Sequence, residues 1–470
     1  MDLPLRAVPP GYYPAPHVYK ADPTVNPIRE NLFFLLCRPF LRLMRLGGMF
    51  FMPLSFVRGE HSALINQYMG NRYARGCFEL LSHCYCVLVF AIMALFCGKS
   101  LFTIHYAIQH NHINISNENL GGLVQAVVYG VWIIQILLTH VVFIYACWKD
   151  EGIAHLMAFW EHTHFRCLDP NCRYLYRKRG LYRSRNKFMF FGVLNIAVQI
   201  CTLLLPMLVP APIYRTLRGM LFGGYMEDNP LIITLGVLGA VYTAFVYILP
   251  IFFFAMVCHF IIYDYNHICY EIKKLQTTRE IYPWMEWIRL RHNAVCLFVE
   301  TADGVFAPYI LLTLVCNVFQ ILMGIFVVYQ DSMKEEGIDL MKGLSSLYWM
   351  LQYLLQLIII LGAGTALSNA ARSPMAHVYK ISQEPAAIPS SPELFLLRLQ
   401  TFLNKLTCKE MGFTAWNLFI INYEAIRTMF GTFVTYEILI FLLQIDLKRD
   451  ERMDEIPLCD CGGSEPGHAE

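Results

Sequence analysis

Residues 231–263 read LIITLGVLGAVYTAFVYILPIFFFAMVCHFIIY, thirty-three positions without one Asp, Glu, Lys or Arg. A hydrocarbon core about 30 Å thick needs about 20 apolar residues at 1.5 Å each, so this run is long enough to cross a bilayer. Six further segments meet the same test, at approximately 78–98, 121–147, 188–209, 302–330, 341–368 and 419–445. The whole 470-residue chain agrees, with 56% hydrophobic residues, 15% charged residues and a mean hydropathy of +0.44. Ordinary soluble domains carry roughly 25% charged residues, and a soluble surface of this size is not covered by so few charges. A formal net charge of +2 gives no basic excess for nucleic acid, so no such partner is expected. The expected fold is all-α: a seven-transmembrane helix bundle.

An eighth apolar run, 31–56, carries Arg38, Arg42 and Arg45 near its middle. Three unpaired arginines at mid-bilayer are costly, and their near-helical spacing draws one basic stripe along an apolar helix. The reading is a helix lying at the membrane interface. Lys and Arg in the connections set the orientation. The segments before 78 and at 148–187, 264–301 and 369–418 hold twenty-eight of them, and the other side holds eight. The N-terminus is therefore expected in the cytoplasm and the C-terminus outside. Residues 1–77 form the cytosolic N-terminal segment, 78–445 the membrane domain and 446–470 an acidic extracellular tail. The long inner loops read as helical extensions of the spans. The sequon at Asn114 falls on the predicted outer face, where glycosylation takes place. An inside N-terminus is the reverse of a G-protein-coupled receptor.

Enzyme and metal readings find little support. His105, His110 and His112 fall outside by this topology, whereas His155, His162, His164, Cys167 and Cys172 fall inside, so the two groups cannot share a centre. The second group has irregular spacing for zinc, and solvated loop histidines are the better reading. His164 and Asp169 match a His-x4-Asp acyltransferase spacing, but among 15 His one such match is expected by chance. The 16 Cys are scattered, many inside apolar runs, where Cys behaves as a small hydrophobe. No enzyme and no cofactor are expected.

Polar residues recur at helical spacing inside the spans: Gln125, Tyr129, Trp132 and Gln135; Asn195, Gln199 and Thr202; Thr313, Asn317 and Gln320; Ser345, Trp349, Gln352 and Gln356. Such residues are expensive in lipid unless they face the bundle interior or a wet cavity. Any one of them serves as interhelical glue, but four stripes point to a cavity in the outer half of the bundle. Its expected lining is Gln125, Tyr129, Trp132, Gln320, Ser345, Trp349, Gln352 and Tyr353. Amides meet hydroxyls as donor and as acceptor, and aromatic faces cover the apolar faces of a sugar ring. No Lys or Arg lies among these positions, so the expected ligand is small, neutral and polyhydroxylated. The alternatives are a more apolar compound, or a multi-span transporter, which the lack of paired broken spans weakens.

The last hundred residues carry a resemblance. Thr435-Tyr436-Glu437-Ile438-Leu439-Ile440-Phe441-Leu442-Leu443-Gln444-Ile445 resembles the Thr-Tyr-(five hydrophobic)-Gln-Phe signature that closes insect gustatory receptors. Gly412-Phe413, the run Gly431 to Glu437, and the approach from Ile388-Pro389 through Phe402 and Leu406 resemble the sugar-receptor branch of that family. Two features depart from the pattern: Gln444 stands two residues late, and Ile445 replaces the final Phe. The resemblance implies a ligand-gated, nonselective cation channel in the plasma membrane, a tetramer or hetero-oligomer of seven-helix subunits surrounded by membrane lipid. It implies a small-molecule tastant bound within each subunit and a pore lined by the last span. Along that span Thr428, Thr432 and Thr435 share one face, which turns apolar at Leu439 and Leu442. The expected gate is Leu442, or Phe441 or Leu443 if the helix rotates, with Gln444 as the filter.

Overall fold

The computed structural model describes residues 32–51, 72–109, 120–149, 152–157, 159–160, 178–208, 230–278, 281–332, 340–383, 392–408 and 410–454. Among them the chain is almost wholly helical. In order the helices are α1 (Leu32–Leu46), α2 (Arg72–Gln109), α3 (Leu120–Trp148), α4 (Lys178–Leu208), α5 (Pro230–Thr278), α6 (Ile281–Ser332), α7 (Leu340–Gln383), α8 (Pro392–Cys408) and α9 (Tyr423–Asp454). Seven of these, α2 to α7 and α9, are long and apolar enough to cross a membrane. They coincide with the seven segments expected from sequence. Large apolar side chains on their outer faces, such as Leu81, Phe102, Phe190 and Val315, are more than half exposed, as lipid contact requires and water would penalise.

α5 is the axis of the bundle. Its apolar window is 83% buried, against 33% for α2 and none for α9. It packs on α7, α4, α6 and α2, and its rings at Phe252, Phe253 and Phe254 fill the centre. At 1.5 Å per residue α5 and α6, with 49 and 52 residues, are each more than 70 Å long, over twice the hydrocarbon thickness. One end of each therefore extends beyond the bilayer. There the lower half of α6 meets α8, which buries Phe395, Leu399 and Phe402. α9 stands at the edge and touches its own chain mainly through α6. It continues as helix to Asp454, past residue 445, at which the membrane domain was expected to end.

α1 buries Leu36, Cys37, Phe40, Leu41 and Met44 against the bundle and leaves Arg38 and Arg42 exposed. Arg45, read from sequence as unpaired, instead donates to both carboxylate oxygens of the buried Glu79 at 3.1 and 3.2 Å. The expectation of three unpaired arginines is corrected by this long-range partner, which no local pattern reveals. After α1 the chain reverses, and its carbonyls are met one by one. Tyr85 donates to Leu46 O at 2.7 Å, and the His140 ring lies 2.9 Å from Gly48 O. The thiols of Cys147 and Cys86 point at Met49 O and Phe50 O.

This reversal requires Gly48. Its φ is +69°, and a Cβ there would lie 2.5 Å from the Val89 side chain. Gly48→Ala is expected to cost more than about 2 kcal/mol, from the left-handed backbone and the overpacking together. In detergent this appears as a lower melting temperature by fluorescence-detected gel filtration. Gly98→Ala, within a helix and where a Cβ meets nothing within 4 Å, is the control and leaves stability unchanged or raises it by up to about 1 kcal/mol.

Candidate functional site

A cavity of about 90 Å³ opens between the N-terminal ends of α3 and α7 and the C-terminal part of α6. Its wall is Gln125, Val128, Tyr129 and Trp132 from α3, Gln320, Gly324 and Val327 from α6, and Ser346, Trp349, Met350 and Tyr353 from α7. Each helix contributes at spacings of three and four residues, the period that keeps side chains on one helical face. No Asp, Glu, Lys, Arg or His is among these residues.

The aromatic rings form a connected wall. Tyr129 stacks on Trp132 at 5.5 Å between centroids, Trp132 meets Trp349 edge to face at 5.2 Å, and Trp349 stacks on Tyr353 at 6.3 Å. Trp132 is also set edge to face against Tyr247 of α5, so its ring is fixed from behind. Among the described residues, the indole N–H of Trp132 and the Oε1 of Gln320 have no hydrogen-bond partner. An unmet donor and an unmet acceptor in a buried wall are costly, and a bound hydroxyl offers a complement to either.

Beneath the cavity lies a chain of buried amides. Gln320 Nε2 donates to Gln135 Oε1 at 3.2 Å, and Gln135 Nε2 donates to Asn317 Oδ1 at 3.1 Å. Asn317 Nδ2 donates to Gln356 Oε1 at 2.9 Å, and Gln356 Nε2 donates to the Tyr247 carbonyl at 3.2 Å. The chain ties α3, α5, α6 and α7 together in the buried interior of the bundle. A second set joins α7 to α4: Tyr348 donates to Gln199 Oε1 at 2.8 Å, and Gln352 Nε2 donates to the Tyr348 hydroxyl. Thr313 donates to the carbonyl of Tyr309 on its own helix.

Of the eight residues expected to line a cavity, six do so together: Gln125, Tyr129, Trp132, Gln320, Trp349 and Tyr353. Gln352 does not. One residue along a helix turns the side chain by about 100°, and this step takes Gln352 to Tyr348 instead. The side chain of Ser345 lies outside the described residues, and its neighbour Ser346 lines the cavity. Sequence reasoning passed over Val128, Gly324, Val327, Ser346 and Met350. They continue the same three stripes, so the signal was the helical period itself, followed there only through its amide and aromatic members.

On α9, Thr428, Thr432, Thr435, Leu439 and Leu442 are exposed along one face. Thr432 and Thr435 donate to the carbonyls of Thr428 and Gly431 on their own helix, both at 2.9 Å. Phe441 turns toward α6 and meets Tyr329 edge to face at 5.9 Å, away from the threonine face. The side chains of Leu443 and Gln444 lie outside the described residues, as do Asn114, His110, His112, His162, His164, Cys167, Cys172, Asp169 and the tail from 455. Among the described residues no group of three His, Cys, Asp or Glu side chains is placed to hold a metal.

A family profile described as 7tm Chemosensory receptor matches residues 37–449, most of the chain. Two solved structures share the fold across nearly their whole length. The insect olfactory receptor OR5 from Machilis hrabei in complex with eugenol is 11% identical, with a TM-score of 0.61, covering 87% of this chain and 99% of that one. The same receptor, in a structure whose description names no ligand, is 12% identical with a TM-score of 0.58, covering 88% and 100%. No curated protein matches the chain by sequence. With a profile match from 37 to 449 and seven helices suited to cross the membrane, this multi-pass membrane protein belongs to the 7tm chemosensory receptor family, and not to a family of enzymes.

Proposed function

We propose that the chain is a gustatory receptor of the plasma membrane: a ligand-gated, nonselective cation channel opened by a small neutral tastant. The observation that carries this is the cavity itself. It is free of charged side chains, walled by four aromatic rings, and holds an unmet donor and an unmet acceptor. An anion or a cation finds no counter-charge there, and a neutral ligand with an apolar face and a hydroxyl finds both surfaces it needs. The likeness to a receptor solved with the small molecule eugenol supports a small-molecule ligand. α9, whose threonine and leucine face is exposed among the described residues, is the pore helix of a homotetramer or of a hetero-oligomer with related receptors.

A sugar is the first candidate, from the resemblance of 431–437 to the sugar-receptor branch and from Gln125, Gln320 and Ser346 in the wall. A less polar compound is the second. One observation favours it: Gln135, Asn317 and Gln356 bond one another and Gln352 bonds Tyr348, while Val128, Val327 and Met350 line the cavity. Whole-cell currents from expressing cells, challenged with mono- and disaccharides, sugar alcohols and flat apolar compounds, separate the two. Currents evoked by sugars alone support the first, and currents from apolar compounds with sugars inert support the second. Saturable uptake without current would return the chain to the transporter class.

The orientation is tested separately. An epitope at the N-terminus is expected to bind antibody only after permeabilisation, and one at the C-terminus in intact cells. The reverse pattern overturns the orientation, because the arginine and lysine asymmetry that set it would then be misread, and returns the receptor reading to G-protein coupling.

A further inference from the structure

Between α8 and α9 the chain makes a tight turn over residues 410–422. Thr414 and Ile420 form an isolated antiparallel bridge, and Trp416 and Asn417 adopt left-handed backbone with φ of 48° and 61°. The turn is not held by its own bonds alone. Asp303, in the middle of α6, accepts from the Thr414 backbone N–H and from the Thr414 hydroxyl, both at 2.7 Å. Beside it Phe413 is fully buried against Phe254 at 4.9 Å and Phe306 at 6.1 Å. On the other flank the turn meets α7 so closely that a Cβ at Gly364 would lie 2.8 Å from Ile421.

Asp303 lies on the helix that builds the cavity. Along α6 the positions Asp303, Phe306, Thr313, Asn317 and Gln320 recur at multiples of three and four, so clamp, core and cavity lie along one side of a single helix. Seventeen residues separate Asp303 from Gln320, about 26 Å of helix axis. A carboxylate that takes two short hydrogen bonds is stronger than a neutral contact and fixes geometry as well as energy.

We propose that Asp303 is a positioning residue: it seats the base of α9 on α6, so that the cavity helix and the start of the last helix move as one body. The proposal rests on reading α9 as the pore helix. A closed pore sealed by apolar side chains needs the same helix placement in every subunit, and an unseated base loosens that seal.

The test uses the full chain in lipid vesicles, without added ligand, and has two readouts. Amide exchange over 410–422, followed by mass spectrometry, reports the seat. Resting cation efflux reports the seal. Asp303→Ala is expected to speed exchange in this segment about tenfold, the size of a charged hydrogen bond lost, with α5 unchanged. Efflux is expected to rise in parallel. Thr414→Val keeps the N–H bond to Asp303. It loses the hydroxyl's bond to Asp303 and the bond that the hydroxyl accepts from the Asn417 N–H at 3.1 Å. With the Asn417 amide left out of the comparison it falls between, whereas Thr414→Ser retains all three bonds and restores wild-type exchange and efflux. If Asp303→Ala does not fold, Thr414→Val against Thr414→Ser carries the comparison. Unchanged exchange at 410–422 in the variants overturns the seat. Faster exchange with unchanged efflux overturns the link from the seat to the pore. Efflux that also fails to respond to Leu442→Ala then places the fault in the pore reading.

Discussion

Trp349→Ala is expected to abolish the ligand-evoked current at wild-type ligand concentrations, with at least about a hundredfold loss in potency, while surface expression persists. The magnitude follows from what the ring does. It contributes a face of the cavity and joins Trp132, Tyr348 and Tyr353 in one aromatic wall. Removing a buried aromatic face from a ligand costs roughly 3 kcal/mol when stacking and buried area are combined, which is about a hundredfold. Trp349 is partly buried and its ring bridges no buried amide, so folding tolerates its loss better than the receptor's response does. Gln125→Leu sharpens the test. For a polyhydroxylated ligand it lowers potency about tenfold or more, because a hydroxyl is left unpaired. For an apolar ligand it leaves potency unchanged or raises it. The check is a dose–response curve normalised to surface label. Wild-type potency in both variants would place the ligand elsewhere.

Gln352 shows why the wall was only partly legible. The period that marks a polar stripe is the same whether its amides line a cavity or bond a neighbouring helix. Sequence places Gln125, Gln135, Asn317, Gln320, Gln352 and Gln356 on inward faces, and inward is where they are. It does not say which neighbour each meets. That depends on the rotation of each helix, and a rotation of one residue separates Tyr353 in the wall from Gln352 against Tyr348. The seven spans were readable because length and apolarity alone decide them. The pairing of Arg45 with Glu79 was not, because it joins residues 34 apart that no local period relates. The turn at 410–422 was visible only as a Gly-Phe pair. Its buried ring and its bond to Asp303 depend on contacts of the turn with α5 and α6, the Thr414–Asp303 pair being 111 residues apart in sequence.

On the proposed pore reading, Leu442→Ala is expected to raise the resting conductance about tenfold or more. The reason lies in how α9 stands in the bundle. A span whose apolar window has no buried residue within its own chain is either lipid-facing throughout or covered by other subunits. Three hydroxyls on one face favour the second, since lipid gives them no partner. Thr432 and Thr435 answer part of that objection by donating back to their own helix. A helix that satisfies its threonines internally is still wettable along that face, and Leu439 and Leu442 above them are not. A ring of leucines in four subunits closes a narrow pore by excluding water, and trimming each to alanine widens it and lets water back. Phe441 separates gate from scaffold. It leans on Tyr329 of α6, so Phe441→Ala is expected to lower thermal stability by about 1 kcal/mol with a smaller leak. On the same pore reading Gln444→Glu is expected to raise permeability to divalent cations without moving ligand potency. Single-channel recording in bilayers reads all three. Leu442→Ala channels as tightly closed as wild type, together with Gln444→Glu channels of unaltered selectivity, would remove the pore from α9 and leave its exposed face to the lipid.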